Sequence, residues 1–166
     1  MYLFAACSTL FFTACDSDNS DDACSYNNQI VVLQNQLTAD VDTFLQSVSY
    51  PEANTAVLYQ SAQKSAQSVT EKLKLIKQFE GGTSFYIETQ NYIKACQNTL
   101  LDEGAKIVEL KANLSLSYNQ KDLMLINQYC NVFYAKIKTA AVKFDKAQLD
   151  FANKHHFEVI TYSKND

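Results

Sequence analysis

From Leu123 to Phe151 the chain places an apolar residue at every third or fourth position: Leu123, Ile126, Cys130, Phe133, Ile137, Ala140, Phe144, Ala147 and Phe151. Steps that alternate between three and four keep these side chains on one face of a helix, at the register of a packed coiled-coil seam. A sheet is excluded over this stretch, because strands bring every second residue to one face. With only 3 Gly and 1 Pro in 166 residues, the chain also lacks the turn residues that a sandwich, a barrel or a series of βα units would need. Its hydrophobic content of 47% is enough for a core, so the seam needs other helices to pack against.

Those helices can be read from the same spacing. Tyr26, Ile30, Leu33, Leu37, Val41, Phe44 and Val48 predict a first helix over about 23–49. Ser49-Tyr-Pro-Glu52 has the form of a capping box with Pro in the first turn, which predicts a second helix over about 51–80 on Leu58, Ala62, Ala66, Val69, Leu73, Ile76 and Phe79. Gly81-Gly-Thr-Ser84 joins a helix stop to a helix cap and opens a third helix over about 84–112, carrying Phe85, Tyr92, Cys96, Leu100, Ile107 and Leu110. Ser117-x-x-Gln120 is preferred to Asn119 as the cap of the fourth, over about 118–156, because ending the third helix near 112 matches it to the first two, at about 40–45 Å. An extended tail then packs Phe157 and Val159 against the end of the body. Four amphipathic helices with short turns predict an all-α fold, an antiparallel up-down-up-down four-helix bundle.

The N-terminus has a different character. Residues 1–15 carry no charge and are mostly apolar, and Asp16, Asp18, Asp21 and Asp22 follow at once. A run of this length is too short to cross a bilayer but suits the core of a secretion signal. Its end, Phe12-Thr-Ala-Cys15, resembles a bacterial lipobox, in which a small residue precedes the Cys whose sulfur receives diacylglycerol before cleavage. Phe12 stands where Leu is usual and no basic residue precedes the run, which a start upstream of Met1 would supply. Phe4-Ala-Ala-Cys7 is a second candidate with little signal ahead of it. The organisation expected is a lipoprotein signal peptide at 1–14, lipidation at Cys15, an acidic flexible tether at 15–22 and one helical domain at 23–166.

Few residues offer chemistry. Cys96 and Cys130 fall on facing seams at heights about 6 Å apart, which makes them a candidate disulfide. Cys24 would be left over, free or available to another chain. His155 and His156 are adjacent and point apart, and no Glu-x-x-His pattern accompanies them, so no metal site and no haem are expected. No nucleophile elbow, phosphate loop or isolated carboxylate pair occurs, so no enzymatic activity and no cofactor are expected. Asp102 and Glu103 have helix-pair spacings to Lys106 and read as surface ion pairs. The ten tyrosines suit the boundary between core and solvent better than a binding surface.

Charge excludes one further class. The chain contains no Arg, and its net charge is -4, so nucleic acid is not expected as a partner. Residues 1–60 hold seven acids and no Lys, whereas 61–166 hold the other 11 acids and all 14 lysines. These halves complement each other across a solvated surface.

The relaxed lipobox, the acidic tether, the small helical body and the ending Phe151-Ala-Asn-Lys-His-His-Phe-Glu-Val159 together resemble small helical surface lipoproteins of spirochaetes and Bacteroidetes. The resemblance implies a location outside the cytoplasm, with the outer membrane or cell surface favoured over the inner membrane, and it implies no activity and no site residues. The expected role is structural or interactive at the cell envelope, through the N-terminal lipid and an unidentified envelope partner. The alternative is a soluble periplasmic binding or chaperone-like bundle that takes an apolar ligand or a toxin/immunity-type partner.

Overall fold

The computed structural model describes residues 11–14, 18–50, 53–116 and 119–161. Its elements are β1 (Phe11–Ala14), α1 (Asp18–Ser47), α2 (Thr55–Leu75), α3 (Thr83–Thr99), a π-helical turn (Leu100–Gly104), α4 (Ala105–Leu116), α5 (Gln120–Lys154) and β2 (Glu158–Thr161). Because α3, the π turn and α4 run on without a break, the helices make four rods, and the all-α reading holds. Among the described residues a two-stranded antiparallel ladder pairs Phe11 with Thr161 and Ala14 with Glu158.

The apolar faces read from the sequence are the faces that bury. Ile30, Leu37 and Phe44 of α1, Ala62, Ala66 and Val69 of α2, Phe85, Tyr92, Cys96, Leu100 and Ile107 of the third rod, and Phe133 and Phe144 of α5 have almost no exposed surface. On the α5 seam, Ile126, Phe133, Phe144, Ala147 and Phe151 are buried and Cys130, Ile137 and Ala140 are packed against the core. Leu123, at the head of the seam, is 40% exposed. The small residues Ala62, Ser65 and Ala66 are all buried, as expected where a neighbouring helix comes close.

The rods meet through contacts at defined heights. Phe44 of α1 lies 6.1 Å from Phe133 of α5, and Tyr26 lies 5.5 Å from Phe151. Between those rings, Gln148 Nε2 donates to Asn27 Oδ1 at 2.9 Å, with both residues inaccessible to solvent. Lys72 donates to Gln36 across α1 and α2, and Gln97 of α3 donates to Thr70 of α2 at 3.0 Å. Lys111 reaches from α4 to the Val48 carbonyl at 2.8 Å and satisfies a backbone acceptor past the end of α1.

Several boundaries differ from the sequence reading, each for a local reason. From Asp18 onward the expected tether forms the first turns of α1. The second helix does not start at the Ser49 box; it starts at Thr55, where the Asn54 side chain accepts from Val57 N at 3.2 Å, and Pro51 and Glu52 lie outside the described residues. It also ends at Leu75 rather than near Glu80. Ile76 and Phe79 keep helical spacing but contact the core from non-helical backbone, and Gly81 makes the turn at φ 75°. The expected loop at 113–117 is helical through Leu116, and Asn119 caps α5 by accepting from Lys121 N at 2.9 Å; Ser117 lies outside the described residues.

The π turn had no counterpart in the sequence reading. It brings Glu103 and Gly104 into the core together, and a Cβ on Gly104 would lie 3.0 Å from the Tyr59 ring. Glu103 therefore pairs with Lys136 of α5 at 2.8 Å instead of with Lys106, whose ammonium sits 5.1 Å from the Tyr129 ring centroid. The end of α5 follows the Schellman pattern. His156 takes φ 57°, Phe157 N donates to the Ala152 carbonyl at 3.1 Å, and the buried Phe157 ring meets Phe151 edge-on at 5.8 Å.

Candidate functional site

The early end of α2 leaves a concavity beside α1. Where α2 stops at Leu75, the N-terminal turns of α1 have lost the neighbour that a longer helix would have supplied. A groove of about 690 Å³ remains, walled by Asp21, Cys24, Ser25, Asn28, Gln29, Val32 and Leu33 of α1 and by Lys72 and Ile76 of the α2 end. The α1 residues recur at three and four, so they line one face of that helix. Val32 is 64% exposed, and Leu75, beside the groove, is 84% exposed. Apolar surface of this kind, rimmed by Asp21 and Lys72, suits an apolar segment with polar flanks.

Cys24 in the groove wall is disulfide-bonded. This corrects the expectation that it would be left over. Cys96 and Cys130 are free, which corrects the expected pairing between them. Each takes part in a polar patch instead of facing the other. Cys96 is fully buried and lies on Tyr92 and toward Asp42, while Cys130 is half-buried beside Tyr134. Burial pushes the thiols up to about 12 for Cys96 and about 11 for Cys130, so neither is a thiolate at neutral pH.

That patch is the second candidate. Gln34, Thr38 and Asp42 stack four apart on α1 and face Tyr92 and Cys96, themselves four apart on α3. Thr38 Oγ1 and the Tyr92 hydroxyl are 2.7 Å apart, Gln34 Nε2 donates to Thr38 at 3.0 Å, and Gln34 Oε1 is buried without a partner. Burial raises the Asp42 carboxyl to about 6 and the Tyr92 phenol well above its usual range. At neutral pH the patch holds two protonated thiols and a protonated phenol beside a carboxyl that burial makes easier to protonate.

The remaining sequence candidates are accounted for as follows. Cys15, the expected lipidation site, lies outside the described residues. His155 is wedged between the rings of Phe79 and Phe151, at 5.2 and 4.5 Å; burial lowers its pKa, and its Nε2 is buried without a partner. His156 holds the left-handed cap position and is exposed. Among the described residues no three His, Cys, Asp or Glu side chains gather where they could hold a metal ion. Of the tyrosines, Tyr59, Tyr129 and Tyr134 are half-buried against the core, and Tyr26, Tyr86 and Tyr92 are buried. No protein-family model, no curated protein and no solved structure matches the chain. Among the described residues no helix is long and apolar enough to cross a membrane.

The groove was not legible in the sequence, because Ile76 and Phe79 continue the helical spacing past the point where the helix ends. Gly81-Gly82 was the available signal, and it marks the turn without marking where the preceding helix stops.

Proposed function

We propose that this protein is a lipid-anchored, extracytoplasmic helical bundle that serves a structural or protein-interaction role at the cell envelope and catalyses no reaction. The observation that supports a location outside the cytoplasm is the disulfide that Cys24 makes in the full chain, since such bonds persist in oxidising compartments; the lipidated form would leave Cys24 available to another chain. The Phe12-Thr-Ala-Cys15 sequence supplies the attachment point. Cleavage before Cys15 would remove β1 and leave the edge of β2 open at the base of α5.

The rods in this reading run up-down-up-down. Supporting that topology, residue numbers fall on one rod as they rise on its neighbour: Phe44 and Tyr26 of α1 meet Phe133 and Phe151 of α5, and Phe85 and Glu103 of the third rod meet Phe151 and Lys136. Labelling cells with a palmitate analogue tests the anchor. The protein should take up label and fractionate with membranes, and Cys15→Ala should abolish both. An unlabelled protein whose location is unchanged by Cys15→Ala would refute the anchor.

The groove favours a second reading, a soluble periplasmic binding or chaperone-like bundle that takes an apolar ligand or a toxin/immunity-type partner. Native mass spectrometry of the purified protein tests it, with a co-purified small molecule as the supporting result and a bare chain as the contrary one.

A further inference from the structure

One end of the bundle is closed by a cluster of aromatic rings, and an imidazole stands among them. The crossing from α2 to α3, residues 76–82, is not helical, so packing has to hold it in place. Phe79 supplies that packing. Its ring lies 5.7 Å from Tyr26 of α1, 5.9 Å from Phe151 of α5 and 5.2 Å from His155 at the α5 cap. His155 in turn lies 4.5 Å from Phe151. Its Nε2 is shut off from solvent and has no hydrogen-bond partner. The Gly81 turn covers that nitrogen, since a Cβ on Gly81 would lie 3.3 Å from Nε2 and 2.5 Å from the Lys154 ammonium.

We propose that His155 is an acid-sensitive latch on this crossing: the neutral imidazole stays wedged between Phe79 and Phe151, and the protonated one leaves and releases residues 76–82. Protonation would bury a positive charge at Nε2, where no partner waits for it. The charged groups on each packed element agree with that direction. On α5 and its cap, Lys154 and His156 repel a further positive charge; on the crossing, Glu80 attracts it, but Glu80 is exposed and solvent screens it. From α1 the cluster receives Tyr26, whose phenol is pushed up to about 12 by burial and stays neutral, and from α3 it receives the uncharged Phe85 ring. Burial is the largest influence on His155 and lowers its pKa. Ile76 lies on the same crossing and lines the groove beside α1, so releasing the crossing also loosens one wall of the groove.

Amide hydrogen exchange of the full chain at about pH 7.5 and about pH 5.5 tests the latch, with each rate divided by the intrinsic rate at that pH. Opening of residues 76–82 should rise by up to about tenfold at the lower pH, which is about one unit below the ordinary value of 6.5 that the released imidazole regains. His155→Phe keeps a ring between Phe79 and Phe151 and takes up no proton, so the rise should vanish. Asp42 also gains a proton in this range, but it favours the folded chain as it does so and is present in both proteins. Equal rises in parent and variant overturn the proposal, as does a rise that spares 76–82. Should His155→Phe fail to fold, a carbon-13 NMR titration of the parent's two imidazoles decides. His155 should titrate below 6.5, in step with the loss of protection at 76–82, and titration at or above 6.5 overturns the latch.

Discussion

The buried amide pair between α1 and α5 gives the sharpest test of how this bundle is held in register. Gln148 Nε2 donates to Asn27 Oδ1 at 2.9 Å, the two residues are 1% and 0% exposed, and Gln148 Oε1 has no partner. Gln148→Met keeps the shape and removes that orphaned oxygen, but it leaves Asn27 Oδ1 without its donor. The cost should be about 1 kcal/mol, the low end for a buried group losing its partner. Asn27→Leu is worse, because Gln148 then has neither end of its amide satisfied, and about 2–3 kcal/mol should be lost. The double variant buries two apolar side chains in place of the pair and should fall within about 1 kcal/mol of the parent. Urea denaturation of the four proteins closes the cycle. In thermal unfolding, each kcal/mol should move the midpoint by about 2–4 °C at this chain length. Single effects that add up to the double within about 0.5 kcal/mol would mean that the two amides are not coupled, and would refute the reasoning.

Three further outcomes follow from other parts of the structure. Burial raises the Asp42 carboxyl from 3.8 to about 6, so the folded state holds this proton more tightly than the unfolded chain does. Stability from this group is present below its unfolded value and is lost as pH rises through 3.8 to about 6; Asp42→Asn should be more stable than the parent at about pH 7, and the gap should close at low pH. A gap that is the same at both ends of that window would contradict this. Cys96 and Cys130 should resist iodoacetamide in the native protein at about pH 8 and react once it is unfolded in urea, because burial raises both thiols well above that pH. Rapid native alkylation of either would show the core to be more open than described. Removing the Asn54 cap with Asn54→Ala should cost about 1 kcal/mol in urea denaturation, whereas an unchanged midpoint would move the start of α2 elsewhere.

The value of the amide pair shows where a periodicity reading stops. Asn27 and Gln148 lie on helices whose existence was plain from their apolar spacing, but neither residue is apolar and they are 121 positions apart. Glu103 is similar. Its spacing to Lys106 suggested a surface pair, and the π turn carried it to Lys136 instead. Caps were read with mixed success for one physical reason: Ser117 and Asn119, or Ser49 and Asn54, compete as acceptors a few residues apart, and the winner depends on where the preceding chain must cross. The C-terminal tail was read well, since the loss of the seam after Phe151 and the pair Phe157 and Val159 leave one way to bury apolar surface at the end of α5.

By itself the sequence determined that the chain would form long amphipathic helices, and which face of each would be buried, because helical period and apolar spacing are local properties. Tertiary structure decided how far α2 runs, which residue caps α5, that Cys96 and Cys130 stay apart, and that a groove opens beside Cys24. Those outcomes depend on the relative heights of packed rods, and relative height comes from side chains meeting across the core, not from the spacing within any one helix.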